Sequence, residues 1–315
     1  MQLRKKLMNR LLSTLVISIA ASLSASLPGT TQDGVTYMDI HPQWSPDGST
    51  VAYYRVPSDF SQSWINVVNA ATGEEVTAYS GQHYNSNPVW HPSGQELLFA
   101  SARPTMRGDW QLYRHNVHSG EQTAATKADG RVGHPFWSPD GQKIVYQKRV
   151  SAADQPFATD VFLLNANTGE ETRITETVDN EFHPKFSADG RYIVFDAGDR
   201  TKGYIVRYDT HTHETIKLIE PEEGIRAGVP TYSPDGTKLV YTRGSVARDG
   251  TASNLYIRDL ASETDTQLTD VADGKTAGGA SWSPDGSKIV FHISEGRKAS
   301  LWVIGADGEG LKPLK

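Results

Sequence analysis

At one position of a recurring stretch, three histidines stand directly before a proline, in His41-Pro42, His134-Pro135 and His183-Pro184, and Asn87-Pro88 occupies a fourth such place. Imidazole titrates near neutrality and serves as an acid, a base or a metal ligand, and the amide adds one more donor. Gathered at one point, the four side chains would suit a divalent metal such as manganese or calcium, or a proton-transfer set. Val229 and Gly279 fill the same place in two further copies of the surrounding sequence and can do neither. Each histidine could equally bond a neighbouring backbone, so the chemistry depends on convergence of the side chains. A second set, Arg55, Lys148 and Arg243, shares another position of the repeat. Those cations would position an anionic ligand or, in an enzyme, abstract a proton.

The elements that must carry these residues are repeats. One corner recurs as "HPQWSPDGSTVAYY", "NPVWHPSGQELLFA", "HPFWSPDGQKIVYQ", "HPKFSADGRYIVFD", "VPTYSPDGTKLVYT" and "GASWSPDGSKIVFH". Its turn glycines, Gly48, Gly94, Gly141, Gly190, Gly236 and Gly286, are spaced 46, 47, 49, 46 and 50 residues apart. A period near 47 in β-type sequence is that of a propeller. Midway through each unit a strand runs into a tight turn, as in "INVVNAATGEE" and "VFLLNANTGEE", and short outer strands such as "TRIT" and "TQLT" follow. Each unit is therefore four antiparallel strands. In the corner, proline presets the first turn position, aspartate accepts backbone N–H bonds and glycine supplies a positive φ. The aromatic before the turn fills the gap between neighbouring sheets. The expected fold is all-β, a six-bladed β-propeller over residues 37–315, with blades at about 37–79, 84–126, 131–176, 180–219, 226–269 and 276–315.

The repeat "PxWSPDGxxIxF…LYxxxxxTGExxxLT" resembles the TolB-like, or PD40, β-propeller repeat, and the resemblance covers essentially everything after residue 37. It implies a propeller of six blades and a role in binding a protein, peptide or glycan. TolB itself carries an α/β domain between leader and propeller, where this sequence has about ten residues. Similar propellers precede the catalytic domain of prolyl oligopeptidases, but no G-x-S-x-G nucleophile elbow occurs here. Oligogalacturonate lyases with similar repeats hold manganese at a histidine-rich pore mouth. That likeness implies a lyase alternative without assigning its ligands to individual residues of this chain.

At the N-terminus, Arg4, Lys5, Lys6 and Arg10 precede an apolar run from Leu11 that closes in small residues. This is the layout of a secretory signal peptide over 1–26, followed by a short linker over 27–36. The full chain has 31 Lys+Arg against 37 Asp+Glu, and four of those basic residues lie in the leader. The acidic remainder disfavours nucleic acid as a partner. With no cysteine, disulfides, thiol catalysis and thiolate metal sites are all excluded. The expectation is a periplasmic or secreted protein, soluble after leader cleavage and monomeric.

Strand order puts the corners at one end of the ring and the long loops after each second strand at the other. That loop end, where each first strand begins, is the expected site face, with His41, Asn87, His134 and His183 around the channel mouth and His83 and His292 in reach. His211 and His213 fall at the opposite end. The loops carry Arg103, Arg107, Arg149, Arg200, Lys202, Arg248, Arg297 and Lys298 besides the three cations above, against seven acidic residues. The functional expectation is a binding module at the channel mouth, with a glycan-active, oligouronide-lyase-like enzyme as the alternative.

Overall fold

The computed structural model describes residues 31–32, 35–79, 83–103, 109–127, 130–150, 158–199, 201–247 and 250–314. The leader at 1–26, most of the linker, and Arg107, Arg200 and Arg248 lie outside the described residues. Every regular element among the described residues is a β-strand, and no helix is long and apolar enough to cross a membrane.

Each repeat folds into a four-stranded antiparallel meander. The first strands are Val35–Trp44, Tyr84–Trp90, Val132–Trp137, Asn180–Phe186, Ile225–Tyr232 and Lys275–Trp282. The second strands are Thr50–Pro57, Glu96–Ala102, Lys143–Val150, Tyr192–Gly198, Lys238–Ser245 and Lys288–Glu295. Third strands run from Trp64–Asn69 in the first repeat to Lys298–Gly305 in the last, and short fourth strands such as Glu171–Arg173 and Asp265–Gln267 close each group.

The core lies between neighbouring groups and draws most heavily on the second strands. Their alternate residues, including Tyr53, Leu97, Phe99, Ile144, Tyr146, Ile193, Phe195, Tyr241 and Phe291, are almost wholly buried. A strand packed on both faces has no solvent side, which is why these segments read as continuous apolar runs. Removing a side chain of this size from such a setting costs about 3–5 kcal/mol.

The corners form as their residue types dictate. In the first, the Ser45 hydroxyl donates to Asp47 Oδ1 at 2.6 Å, and the same oxygen accepts the Ser49 amide at 3.0 Å. Gly48, at φ 73°, completes the turn by donating its N–H to Ser45 O at 2.9 Å. Ser138–Asp140, Ser187–Asp189, Ser233–Asp235 and Ser283–Asp285 repeat the pattern. In the second repeat His91 replaces the serine, its Nδ1 lying 2.8 Å from Ser93 Oγ.

Neighbouring groups are stitched by one recurring contact. The start of a third strand pairs in parallel with the start of the next first strand, at Ser63–Tyr84, Trp110–Arg131, Gly203–Arg226 and Ser253–Thr276. Met38 pairs with Ala299 in the same way, joining the first group to the last. The seam between the two ends of the repeat array is thus made like the other junctions, and Val35–Trp44 keeps its place beside its own second strand.

Candidate functional site at the channel mouth

The six equivalent positions before or at the start of the corner share a backbone feature that residue type only hints at. His41, Asn87, His134, His183, Val229 and Gly279 all lie in the left-handed region, with φ between 48° and 62°. In every first strand the pairing register slips at this point, between Ile40 and Gln43 in the first and between Phe182 and Lys185 in the fourth. Two residues of the first strand there oppose one of the second, which is a β-bulge that re-aims a side chain. Histidine, asparagine and glycine tolerate this region better than most residues, so part of the choice of type is backbone tolerance. Val229 is the strained member, since a β-branched side chain is unfavourable at φ 53°. Val229→Asn should therefore raise the thermal midpoint by about 2–4 °C, measured by calorimetry, for roughly 1 kcal/mol of strain released.

The bulges turn the imidazoles toward one another. Ring centroids of His134 and His183 are 4.2 Å apart, those of His41 and His134 5.2 Å, and those of His41 and His183 6.2 Å. His292, from the last second strand, joins at 5.5 Å from His41 and its Nδ1 faces the His41 amide at 3.4 Å. With Asn87 and Val229, the three bulge histidines line one cavity of about 20 Å³, room for about one water-sized body. Burial, followed by repulsion from neighbouring imidazoles and Lys185, holds His41 and His134 well below the usual imidazole range. Burial brings His292 down to about 4. At neutral pH these three rings are uncharged, each with one N–H donor and one acceptor nitrogen.

His183 is anchored differently. Its Nδ1 donates to Asp196 Oδ1 at 2.7 Å, and the same oxygen accepts the Val229 amide at 3.1 Å. A carboxylate only accepts, so Nδ1 carries the hydrogen of this bond. His183 and Asp196 also border a second cleft of about 200 Å³, walled by Phe182, Arg226, Thr242, Ser245 and Ser253.

Lys185, two residues past the His183 bulge, is 8% exposed and lines the cavity. Lys185 and Asp196 were not singled out from the sequence, because only Lys185 among the six equivalents is charged (Gln43, Val89, Phe136, Thr231 and Ser281 are the others). The doublet of His183 with a charged residue two places on was the available signal.

The second expected set is placed elsewhere. Arg55, Lys148 and Arg243 follow by one residue the positions that face the channel, and strand alternation turns them away from it. Arg55 makes a bidentate pair with Asp39 at 2.6 and 2.7 Å, both groups buried. Lys148 pairs with Glu171 at 2.8 Å, and Arg243 with Glu222 at 2.8 Å. None of the three lines the cavity or the neighbouring cleft. Their shared repeat position reflects scaffold ion pairs. His211 is exposed, and His213 meets the Tyr208 hydroxyl at 2.5 Å in its turn, away from the cluster.

The rings do not assemble as metal ligands. Among the described residues no group of three or more His, Asp or Glu is arranged to hold a metal ion. His41, His134 and His183 pack with interplanar angles of 65° and 75° or stack at 15°, and Nδ1 of His183 is committed to Asp196. The residues as arranged do not fit manganese or calcium, so no chemistry is routed through either.

At the opposite end of the channel a larger cavity of about 360 Å³ is bordered by corner residues, among them Trp44, Trp90, Trp137, Pro139, Pro234 and Trp282. It shares Gln43 and Val89 with the small cavity, so the two lie along one axis.

Comparison with known proteins agrees with this architecture. Among solved structures, TolB from Acinetobacter baumannii superposes with a TM-score of 0.63 at 18% identity, over 89% of this chain and 64% of that one. The chain thus spans a little under two thirds of the length of that TolB. A putative TolB from Agrobacterium tumefaciens gives 0.63 at 19% identity, over 87% of this chain and 92% of that one. An oligogalacturonate lyase in complex with manganese gives 0.58 at 16% identity, over 90% and 79%. At these identities the likeness concerns the fold. No curated protein matches the sequence. The TolB beta propeller domain, PD40, matches residues 31–243, about two thirds of the chain. On that match the protein belongs to the TolB β-propeller family.

Proposed function

We propose that this protein is an exported binding module that holds a protein, peptide or glycan ligand at the histidine-lined channel mouth. The six repeats act as the six blades of a rigid frame over residues 37–315, and residues 1–26 act as the export signal to the periplasm or the exterior. The observation that carries the reading is the convergence of His41, His134 and His183 on one cavity, with His292 packed against His41 and Asp196 orienting one ring. None of these side chains belongs to the apolar clusters that hold the groups together. Side chains kept polar at the mouth of a rigid scaffold are the usual basis of ligand recognition.

A simultaneous change of His41, His134 and His183 to alanine tests this. The variant is expected to keep its cooperative unfolding transition and to lose at least about tenfold in affinity for ligands recovered from an envelope extract. Unchanged recovery by the folded variant would refute the reading.

One observation favours a second reading, a glycan-active enzyme. The Asp196–His183 pair resembles the orienting half of an acid–base device, and it borders a cleft large enough for a sugar unit. Turnover of oligouronides to unsaturated products, abolished in His183→Ala, would establish it, and no turnover would leave the binding module alone.

A further inference from the structure

The ammonium group of Lys185 is buried with no carboxylate in ion-pair contact. Its Nζ donates to Thr231 Oγ1 at 2.6 Å and sits 5.7 Å from the centre of the Phe136 ring, and among the described residues it forms no ion pair. Asp196, the carboxylate that acts on it most, is occupied by His183 Nδ1 and the Val229 amide. Burying a lone cation is costly unless something of opposite charge is supplied. On the same cavity, the Asn87 Nδ2 donor is shut away from solvent with no acceptor. An orphaned donor of this kind costs about 1–3 kcal/mol while it stays unpaired. Two unmet needs for negative charge and acceptor atoms therefore border one small space, together with the N–H-bearing imidazoles of His41 and His134.

We propose that this cavity is an anion site that takes one carboxylate group, with the Lys185 ammonium as counter-ion and the Asn87 amide as second donor. The assignment rests on the reading of the mouth as a binding site and names the chemistry it selects. A volume of about 20 Å³ admits one oxygen of a carboxylate end-on and no sugar ring or side chain. Burial lowers Lys185 to about 8, with Asp196 pulling it back up, so the group still carries its charge at neutral pH. An anion seated beside it would raise that value again. A free small carboxylate and the terminal carboxylate of a larger ligand present the same chemistry.

The test is a thermal-shift titration with sodium formate at constant ionic strength, in the unmodified protein, Lys185→Met and Asn87→Ala. Formate is expected to raise the midpoint saturably in the unmodified protein. The apparent dissociation constant should weaken by at least about tenfold in Lys185→Met and several-fold in Asn87→Ala. Without formate, Lys185→Met should melt no lower than the unmodified protein, because it removes a buried charge that has no ion-pair contact. Should that variant fail to fold, NMR of the lysine Nζ in the unmodified protein gives the same decision, since formate should move Lys185 upward from about 8. Trialanine with a free C-terminus is the second probe. Tighter binding than formate, absent for the C-terminal amide, identifies a peptide terminus, and parity with formate identifies a free anion. No formate effect, or equal effects in all three proteins, overturns the site. Formate binding that persists in a protein retaining no macromolecular ligand would sink the proposed function and leave this site standing.

Discussion

Replacing Asp39 with alanine is expected to destabilise the protein by about 3–5 kcal/mol, the cost of leaving a buried guanidinium without its carboxylate. Asp39 is 1% and Arg55 6% exposed, and the fork-to-fork geometry at 2.6 and 2.7 Å gives each carboxylate oxygen one guanidinium donor in a nearly water-free setting. Arg55 also donates to the Tyr53 hydroxyl at 3.3 Å, so an abandoned charge would drag a core tyrosine with it. The position matters to the whole ring, because Met38, the neighbour of Asp39, is the residue that pairs with Ala299 across the seam. Urea unfolding followed by tryptophan fluorescence measures the loss. The double change Asp39→Leu with Arg55→Met should recover most of it, since replacing both partners of a buried pair by apolar groups is often close to neutral. A loss below about 1 kcal/mol in Asp39→Ala would mean that water reaches the pair. Ligand affinity supplies an independent check, since the double variant should bind as well as the unmodified protein if Arg55 belongs to the frame.

Acidification is expected to weaken the fold by about 3 kcal/mol per pH unit around pH 5.5, and the direction follows from five groups. His41, His134 and His292 have folded values below the ordinary imidazole value of 6.5, for the reasons of burial and mutual repulsion given above. In the unfolded chain the same rings take up protons as the pH drops through about 6.5. The unfolded state then binds more protons than the folded one, so the stability due to the neutral rings is complete above 6.5 and is lost on acidification, down to about 4 for His292. Glu181 acts in the opposite sense. Burial raises it to about 7 from 4.5, so between those values the folded carboxyl keeps a proton that the unfolded one has shed. Its contribution is present at low pH and lost as pH rises through about 7. His115, also lowered by burial, adds to the three imidazoles of the mouth, and these four against Glu181 leave a net uptake of at least about two protons on unfolding near pH 5.5, hence the slope. Urea midpoints at pH 5, 6 and 7 check it, and His292→Gln should reduce the slope by about one proton. A flat or inverted profile would show that the imidazoles at the mouth are solvated.

How far the sequence could be read depended on whether the property in question repeats. The corner Ser-Pro-Asp-Gly fixes its own hydrogen bonds within five residues, and Ser45–Asp47 and its equivalents form as their types require. The continuous apolar runs of the second strands arise in the same way, since burial on both faces leaves its imprint on each copy. Arg55, Lys148 and Arg243 show the limit of that logic. Their shared position in the repeat suggested a common ligand, whereas each pairs with a different carboxylate of the frame. Repeat phase states where along a strand a residue sits, and the bulge in the adjoining first strand decides which neighbours it meets.

The sequence by itself determined the all-β class, the repeat that builds it, the turn at every corner and the four positions, His41, Asn87, His134 and His183, that gather at one mouth. Each of these is either local chemistry or a consequence of copying a unit with a constant period. Tertiary structure alone decided that the seam is bridged at Met38–Ala299, that the rings pack edge-on and stacked rather than as ligands of one metal ion, and that Asp196 holds His183. It also decided that Lys185 lies buried and unpaired beside them. Those facts belong to distances between segments far apart in the chain. They are set by how neighbouring repeats pack around a common axis and by a one-residue slip in strand register, and neither leaves a mark on residue type within a single repeat.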